Sequence, residues 1–311
     1  MIDVLLLGTG AMAPLPDRWL SSVLVRCRGS LILFDCGEGT QISWRRYHWG
    51  FRRLDAICLS HVHADHVAGL PGLLHTVAHA GRVEPLAVYG PVGTAEIVNG
   101  LRVIARPLPF EVRVHELDDG DRFALPEGLR GTVREGRHRV PVLGYRLDLD
   151  REPVFDRGRA IALDVPRDQW SRLQRGERVE VDGRVIPPDA VLGDSRRGIS
   201  FAFLTDTRPT DALRELARGA DLLICEATYG EDEDQPKAER HGHMTVREAA
   251  TLAARSGAGA LWLTHFGAGM TDPEAYRETA RSVFPCAVMG RAGLTGRLTF
   301  THAYESVAGP D

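Results

Sequence analysis

Between Ser60 and Leu74 the chain reads "SHVHADHVAGLPGLL", placing His61, His63, Asp65 and His66 directly after the apolar run Leu54 to Leu59. Residues two apart in an extended segment point the same way, so His61 and His63 share a face, while Asp65 and His66 open the helix that follows. Four side chains can therefore converge on one point or on two neighbouring points. Imidazole with carboxylate suits zinc, and manganese or iron less well, while an aspartate in the set offers a hard oxygen to a second ion. Further ligand types stand at the ends of later strand-like runs: His138 in "GRHRVPVLGYRL", Asp206 closing "SFAFLTD" and His265 closing "ALWLTH". With Asp206 shared, these seven residues would hold two ions about 3.5 to 4 Å apart, as in two-metal hydrolases. A hydroxide between such ions would be the nucleophile, since bound water ionises near pH 7 and attack needs no strong external base.

These donors need strand ends to carry them. Met1 to Leu7, Val23 to Arg26 and Leu31 to Phe34 read as strands, followed by a strand at Leu54 to Leu59 and a helix over Gly69 to Ala80. Strand and helix alternate through "PLAVYGP" and a helix near Thr94 to Leu101, and short strands return between Phe110 and Tyr145. The second half repeats the pattern, with strands at Ile199 to Thr205, Leu222 to Cys225 and Ala260 to Thr264 and helices near Asp211 to Arg218 and Thr245 to Ala254. Two β-then-α halves predict an α/β fold in which two facing sheets carry helices outside, a four-layer αββα sandwich formed by the single domain 1–311. Arg151 to Gly198 breaks the rhythm: it has ten arginines, nine acidic residues and prolines at 153, 166, 187 and 188. It is longer than a plain connection needs, which marks an inserted, protruding arm.

Composition narrows the function classes. The 311 residues are 43% hydrophobic, enough for a substantial core. No apolar run reaches membrane-spanning length and "MIDVLLLGTG" lacks the features of a signal peptide, so a cytoplasmic location is expected. Five cysteines without a CxxC pair indicate neither a disulfide framework nor a cysteine zinc site. A net charge of −4 argues against broad coating of nucleic acid, so any RNA site must be focal.

"HVHADH" matches the HxHxDH signature of the metallo-β-lactamase fold. Together with "GTG" at Gly8, "FDCGEGTQ" at Phe34, "YGP" at Tyr89, "HRVPVLGYR" at His138, "TDT" at Thr205, "CEAT" at Cys225 and "HMT" at His243, it resembles the ribonuclease Z family of tRNA 3′-processing endonucleases. The blocks follow the family order over residues 8 to 265. The resemblance implies two Zn2+ per subunit, with Mn2+ or other divalent ions as substitutes. His61, His63 and His138 would lie at one ion, Asp65, His66 and His265 at the other, and Asp206 between. It makes Asp65, His243 and Glu226 the catalytic residues, with His243 giving a proton to the leaving 3′ oxygen and Glu226 orienting it. The implied reaction is metal-hydroxide attack on the phosphodiester after the acceptor stem of precursor tRNA, leaving a 3′-hydroxyl on the tRNA. Arg18 in "PLPDRWLSS" would meet a phosphate, and the arm would grip the tRNA elbow, with Arg167, Arg172 and Arg175 as candidate contacts. A homodimer is the implied assembly, with no membrane partner.

The chain departs from the family at Ala64, where glycine is usual, at Pro166-Arg167 and Trp170 in the arm, in "HFGAGMTDPE" after His265, and in "MGRAGLTGRL" near the C-terminus. These departures keep an alternative in view: a small-molecule phosphodiesterase or other ester hydrolase on the same dinuclear fold, for which the arm would be irrelevant.

Overall fold

Runs of β-branched and aliphatic residues build the first sheet of the computed structural model, which describes residues 1–307. Its early strands are β1 (Ile2–Gly8), β2 (Ser22–Cys27), β3 (Ser30–Phe34), β4 (Leu54–Cys58), β5 (Leu86–Pro91) and β6 (Val112–Leu117). Then come β7 (Arg122–Ala124), β8 (Leu129–Glu135) and β9 (Leu143–Arg151), a hairpin of β10 (Val179–Val181) and β11 (Arg184–Ile186), and β12 (Arg196–Leu204). The chain closes with β13 (Leu222–Glu226), β14 (Leu261–Thr264), β15 (Ala287–Met289), β16 (Thr295–Leu298) and β17 (Glu305–Val307).

One sheet has the order β17-β16-β1-β2-β3-β4-β5-β6 and the other β15-β14-β13-β12-β9-β8-β7. Alternation along β3 explains how they are layered. Leu31 and Leu33 join Trp44, Leu73, Leu74 and Val77 in a core between the first sheet and its helices. The opposite face carries Phe34, whose ring meets Phe201, Phe203 and Tyr145 of the second sheet at centroid separations of 5.4, 5.5 and 5.7 Å. Beyond the second sheet, Leu204, Leu223 and Leu261 pack on Leu213, Ala249 and Ala253 of the helices Asp211–Leu216 and Val246–Ser256. Helix, sheet, sheet and helix thus form four layers. Parallel pairing of β3 to β6 and of β12 to β15 gathers several strand ends at one edge.

The C-terminus differs from the expected repetition. β16 returns to the first sheet and pairs antiparallel with β1, Ile2 opposite Leu298. Its sequence, TGRL, is too short and glycine-broken to declare a strand by alternation.

Leu149–Ile199 forms a compact unit of its own, apart from the body built by Met1–Asp148 and the chain from Ser200 onward. Ala160, Leu173 and Val191 are fully buried in its small core, with Val165, Val179 and Ile186 beside them. Trp170 packs on Phe155 at 5.3 Å, and its indole N–H donates to the Val165 carbonyl at 3.0 Å. These apolar residues stand singly between charges, so a search for apolar runs passes over them.

Candidate metal centre and active site

Three strands end alike. β3 is followed by Asp35, β12 by Thr205 and Asp206, and β14 by His265; all three named acid or imidazole residues have left-handed backbones, with φ of 56°, 49° and 56° respectively. L-residues visit this region at a cost, and such strain collects at functional sites. Each is buried, as are His61, His66 and Glu226, the last residue of β13. The short helix Ala64–Val67 begins after His63, so Asp65 and His66 leave the loop on its first turn.

Second partners fix which nitrogen each imidazole presents. His66 Nδ1–H donates to Asp35 Oδ2 at 2.7 Å. Ser60 Oγ donates to the same oxygen at 2.8 Å and lies 3.0 Å from His61 Nδ1, from which it can accept. His138 Nδ1–H donates to the Gly242 carbonyl at 3.1 Å, and His265 Nδ1–H to Thr228 Oγ1 at 3.0 Å. In this arrangement His61, His66, His138 and His265 all turn a bare Nε2 inward. His63 is the exception and presents Nδ1, 2.9 Å from His61 Nε2 and 3.3 Å from His138 Nε2.

The inward atoms of the expected ligands fall into two groups, and Asp206 and His265 also lie with His243 in a third that overlaps them. His61, His63, His138 and Asp206 place one donor atom each within 4.8 Å of one another, and Asp65, His66 and His265 do the same. Asp206 faces both groups: Oδ2 lies 3.7 Å from His61 Nε2, and Oδ1 lies 3.2 Å from His66 Nε2 and 3.1 Å from His265 Nε2. Asp65 Oδ2 is 3.5 and 3.6 Å from the same two nitrogens and accepts the Met12 N–H at 2.8 Å. Four donors at zinc-ligand bond lengths around a tetrahedron stand roughly 3.3 Å apart, within the spread found here. Bare nitrogens and carboxylate oxygens cannot hydrogen-bond one another, so the cluster calls for positive charge among them, from a proton on an imidazole or from a cation. Burial opposes charge throughout, yet the facing imidazoles hold Asp65 and Asp206 well below the usual carboxylate range. Burial also opposes a charged His66, and Asp206 and Asp35 outweigh it. The residues fit a divalent cation.

Beside this cluster lies a second device. His243 Nδ1–H donates to Glu226 Oε1 at 3.2 Å. Glu226 also accepts the Thr207 N–H at 2.6 Å, the Met244 N–H at 3.1 Å and the Thr228 hydroxyl at 2.6 Å. Desolvation works against charge on His243, but Glu226 overcomes it and lifts the pKa to about 9.

This arrangement sits on a chain with clear relatives. The family described as "Beta-lactamase superfamily domain" matches residues 31–156 and 190–266. Ribonuclease Z of Clostridium beijerinckii is 45% identical over 296 residues, covering 93% of this chain and 96% of that protein. The chain belongs to the ribonuclease Z family. Ribonuclease Z of Agathobacter rectalis is 42% identical over 300 residues, covering 96% of this chain and 99% of that one. Among solved structures, human tRNase Z, short form, aligns at a TM-score of 0.67 with 27% identity, covering 94% of this chain and 98% of that chain. The metallo-beta-lactamase fold protein YhfI from Bacillus subtilis aligns at 0.69 with 21% identity, over 94% of this chain and 98% of that chain, a likeness of fold.

Within this ribonuclease Z family member, the cluster opens into a cleft of about 300 Å³ lined by His63, Asp65, His138, Asp206, His243 and His265, with Met12, Arg139, Thr228, Tyr229 and His241 around them. Arg18 is not among the lining residues: its Nη1 and Nη2 donate to the carbonyls of Met270 and Thr271 at 2.8 and 2.9 Å, tying the loop after His265. In the separate unit, Arg172 and Arg175 share Glu177, at 2.9 and 3.2 Å, and Arg167 lies 5.9 Å over the Trp170 ring.

Asp35, Ser60, Thr228 and Gly242 were not singled out by sequence reasoning. Gly242 ends the helix Gln235–His241 with φ 78°, and a Cβ there would come within 2.8 Å of His138 Nδ1. Only glycine suits both demands. The sole sequence signal for these four is their place inside the family-like blocks "FDCGEGTQ" and "CEAT", or beside "HVHADH" and "HMT".

Proposed function

We propose that this chain is a metal-dependent endoribonuclease that removes the 3′ trailer from precursor tRNA by hydrolysis, leaving a 3′-hydroxyl on the tRNA and a 5′-phosphate on the trailer. The observation that carries the reading is the convergence of two donor groups on one shared aspartate, with a buried Glu226–His243 pair beside them. His61, His63, His138 and Asp206 would hold one ion, and Asp65, His66, His265 and Asp206 a second. The first set, three imidazoles and one carboxylate, favours zinc; the second, with two imidazoles and two carboxylates, also accommodates manganese. When bound, two such ions supply an activated water and counter-charge for the phosphate.

The chain's own residues do the rest. His243 gives its Nε2 proton to the departing 3′ oxygen, which leaves poorly unprotonated. Glu226 keeps the ring charged and oriented. Arg139, exposed at the rim of the cleft, adds positive charge beside the approaching backbone. Family resemblance supports a homodimer as the acting form, a cytoplasmic site of action, and the arm Arg151–Gly198 as the segment that grips the tRNA elbow.

The test is cleavage of an end-labelled, 3′-extended precursor tRNA with and without chelator, followed by added zinc or manganese. A single metal-dependent cut at the end of the acceptor stem is the expected result. Hydrolysis of a small diester with no cut in the tRNA would redirect the site to a small-molecule substrate.

A further inference from the structure

Arg208 follows the loop that carries Asp206, and it is 8% exposed. Its Nη1 donates to the backbone carbonyl of His243 at 2.6 Å and to Glu248 Oε2 at 2.8 Å, while Nη2 donates to Glu248 Oε1. A forked, two-point pair of this kind fixes direction as well as distance. Glu248 is itself anchored, because Oε2 also accepts the Thr245 N–H at 3.0 Å and its own N–H donates to Thr245 Oγ1 at 3.2 Å. That reciprocal cap starts the helix Val246–Ser256.

The same short segment grips the other side of the cleft. Arg208 N–H donates to the Arg137 carbonyl at 3.0 Å, and Thr207 Oγ1 accepts the Arg137 N–H at 2.8 Å, one residue before His138. His243 is therefore held through its N–H on the Ala238 carbonyl at 2.8 Å, its carbonyl on Arg208, and its ring on Glu226, with Thr228 Oγ1 3.3 Å from the same ring nitrogen. Removing Arg208 leaves that carbonyl without its charged partner and the peptide held on one side only, by the Met244 N–H on Glu226 Oε2 at 3.1 Å, so the peptide can tilt and the ring's Nε2 shifts with it.

We propose that the Arg208–Glu248 pair is a positioning device for His243, setting where its proton meets the leaving oxygen without touching substrate. This rests on the proton-donor reading of His243. Misplacement of a reacting group by about 1 Å can cost on the order of 100-fold in rate. Arg208→Gln is expected to lower single-turnover cleavage of precursor tRNA by at least about tenfold, with Arg208→Lys, which restores the charge but not the fork, recovering part of it.

A merely structural arginine would slow all substrates alike, so the deciding readout is a ratio. Bis(p-nitrophenyl) phosphate releases a group that needs no proton, and its hydrolysis should fall far less than tRNA cleavage, with metal per chain unchanged. Glu248→Gln provides a second variant, because glutamine still caps the helix but no longer pairs as an anion. His243→Ala is measured alongside. If His243→Ala does not separate the two substrates, the proton-donor reading fails and takes this inference with it. If His243→Ala separates them while Arg208→Gln and Glu248→Gln slow both equally, or neither, the inference alone is overturned.

Discussion

Asp35→Asn isolates the part played by a carboxylate that belongs to neither donor group. Asp35 is fully buried and accepts three donors: the Ser60 N–H at 2.7 Å, the Ser60 hydroxyl at 2.8 Å and His66 Nδ1–H at 2.7 Å. Asparagine has the same shape but one acceptor oxygen. If that oxygen keeps the Ser60 N–H, the amide NH2 faces the serine hydroxyl and His66. The hydroxyl can rotate, whereas His66 must either move its proton to Nε2, the atom that faces Asp206 and Asp65, or leave two N–H groups opposed in a buried site. A buried unsatisfied donor costs about 1 to 3 kcal/mol. At roughly 1.4 kcal/mol per tenfold, that weakens binding by about 5- to 150-fold, in line with the 10- to 100-fold typical of partners that orient metal ligands. The loss should fall mainly on the ion held by His66, His265 and Asp65. Zinc titration of the metal-free variant against a chromophoric chelator would show one ion bound about as in the parent and the other about 10- to 100-fold weaker. Parent affinity at both sites, in a variant folded as the parent is, would show that Asp35 does not hold His66 in its ligating tautomer.

Other perturbations should separate equally well. Asp206→Ala removes the carboxylate that faces both donor groups, so elemental analysis after dialysis should find loss of both ions, not one. Gly242→Ala places a Cβ at φ 78° against His138, and the left-handed backbone alone should cost about 1 to 2 kcal/mol in urea unfolding, with weakened metal retention beside it. Replacing Arg151–Gly198 by a short flexible linker should abolish precursor tRNA cleavage while hydrolysis of bis(p-nitrophenyl) phosphate continues; equal loss of both would deny the arm a substrate-specific role.

That the seven candidate residues come together was legible because ligand chemistry coincides with the edges of strands: imidazoles and aspartates that border apolar runs have few other reasons to stand there. Asp35 closes a strand too, but a single carboxylate in "FDCGEGTQ" has no ligand spacing to betray its hold on His66. Thr228 and Gly242 act through one hydroxyl and one carbonyl, which no pattern of residue types announces. Arg208 looks like any surface arginine until the fold brings Glu248 and the His243 peptide to it. The layered sandwich followed from alternating strands and helices, whereas the return of β16 to β1 depends on a pairing across nearly the whole chain. Within Leu149–Ile199, isolated apolar residues assemble a core that only the folded hairpin and short helices bring together.

In the proposed reaction solvent oxygen attacks phosphorus while the tRNA 3′ oxygen leaves with a proton. Single-turnover cleavage of precursor tRNA in water enriched in oxygen-18, with mass analysis of both products, tests it directly. One heavy oxygen is expected in the 5′-phosphate of the released trailer, with an unlabelled 3′-hydroxyl on the tRNA. A 2′,3′-cyclic phosphate, or label on the tRNA side of the cut, would contradict it.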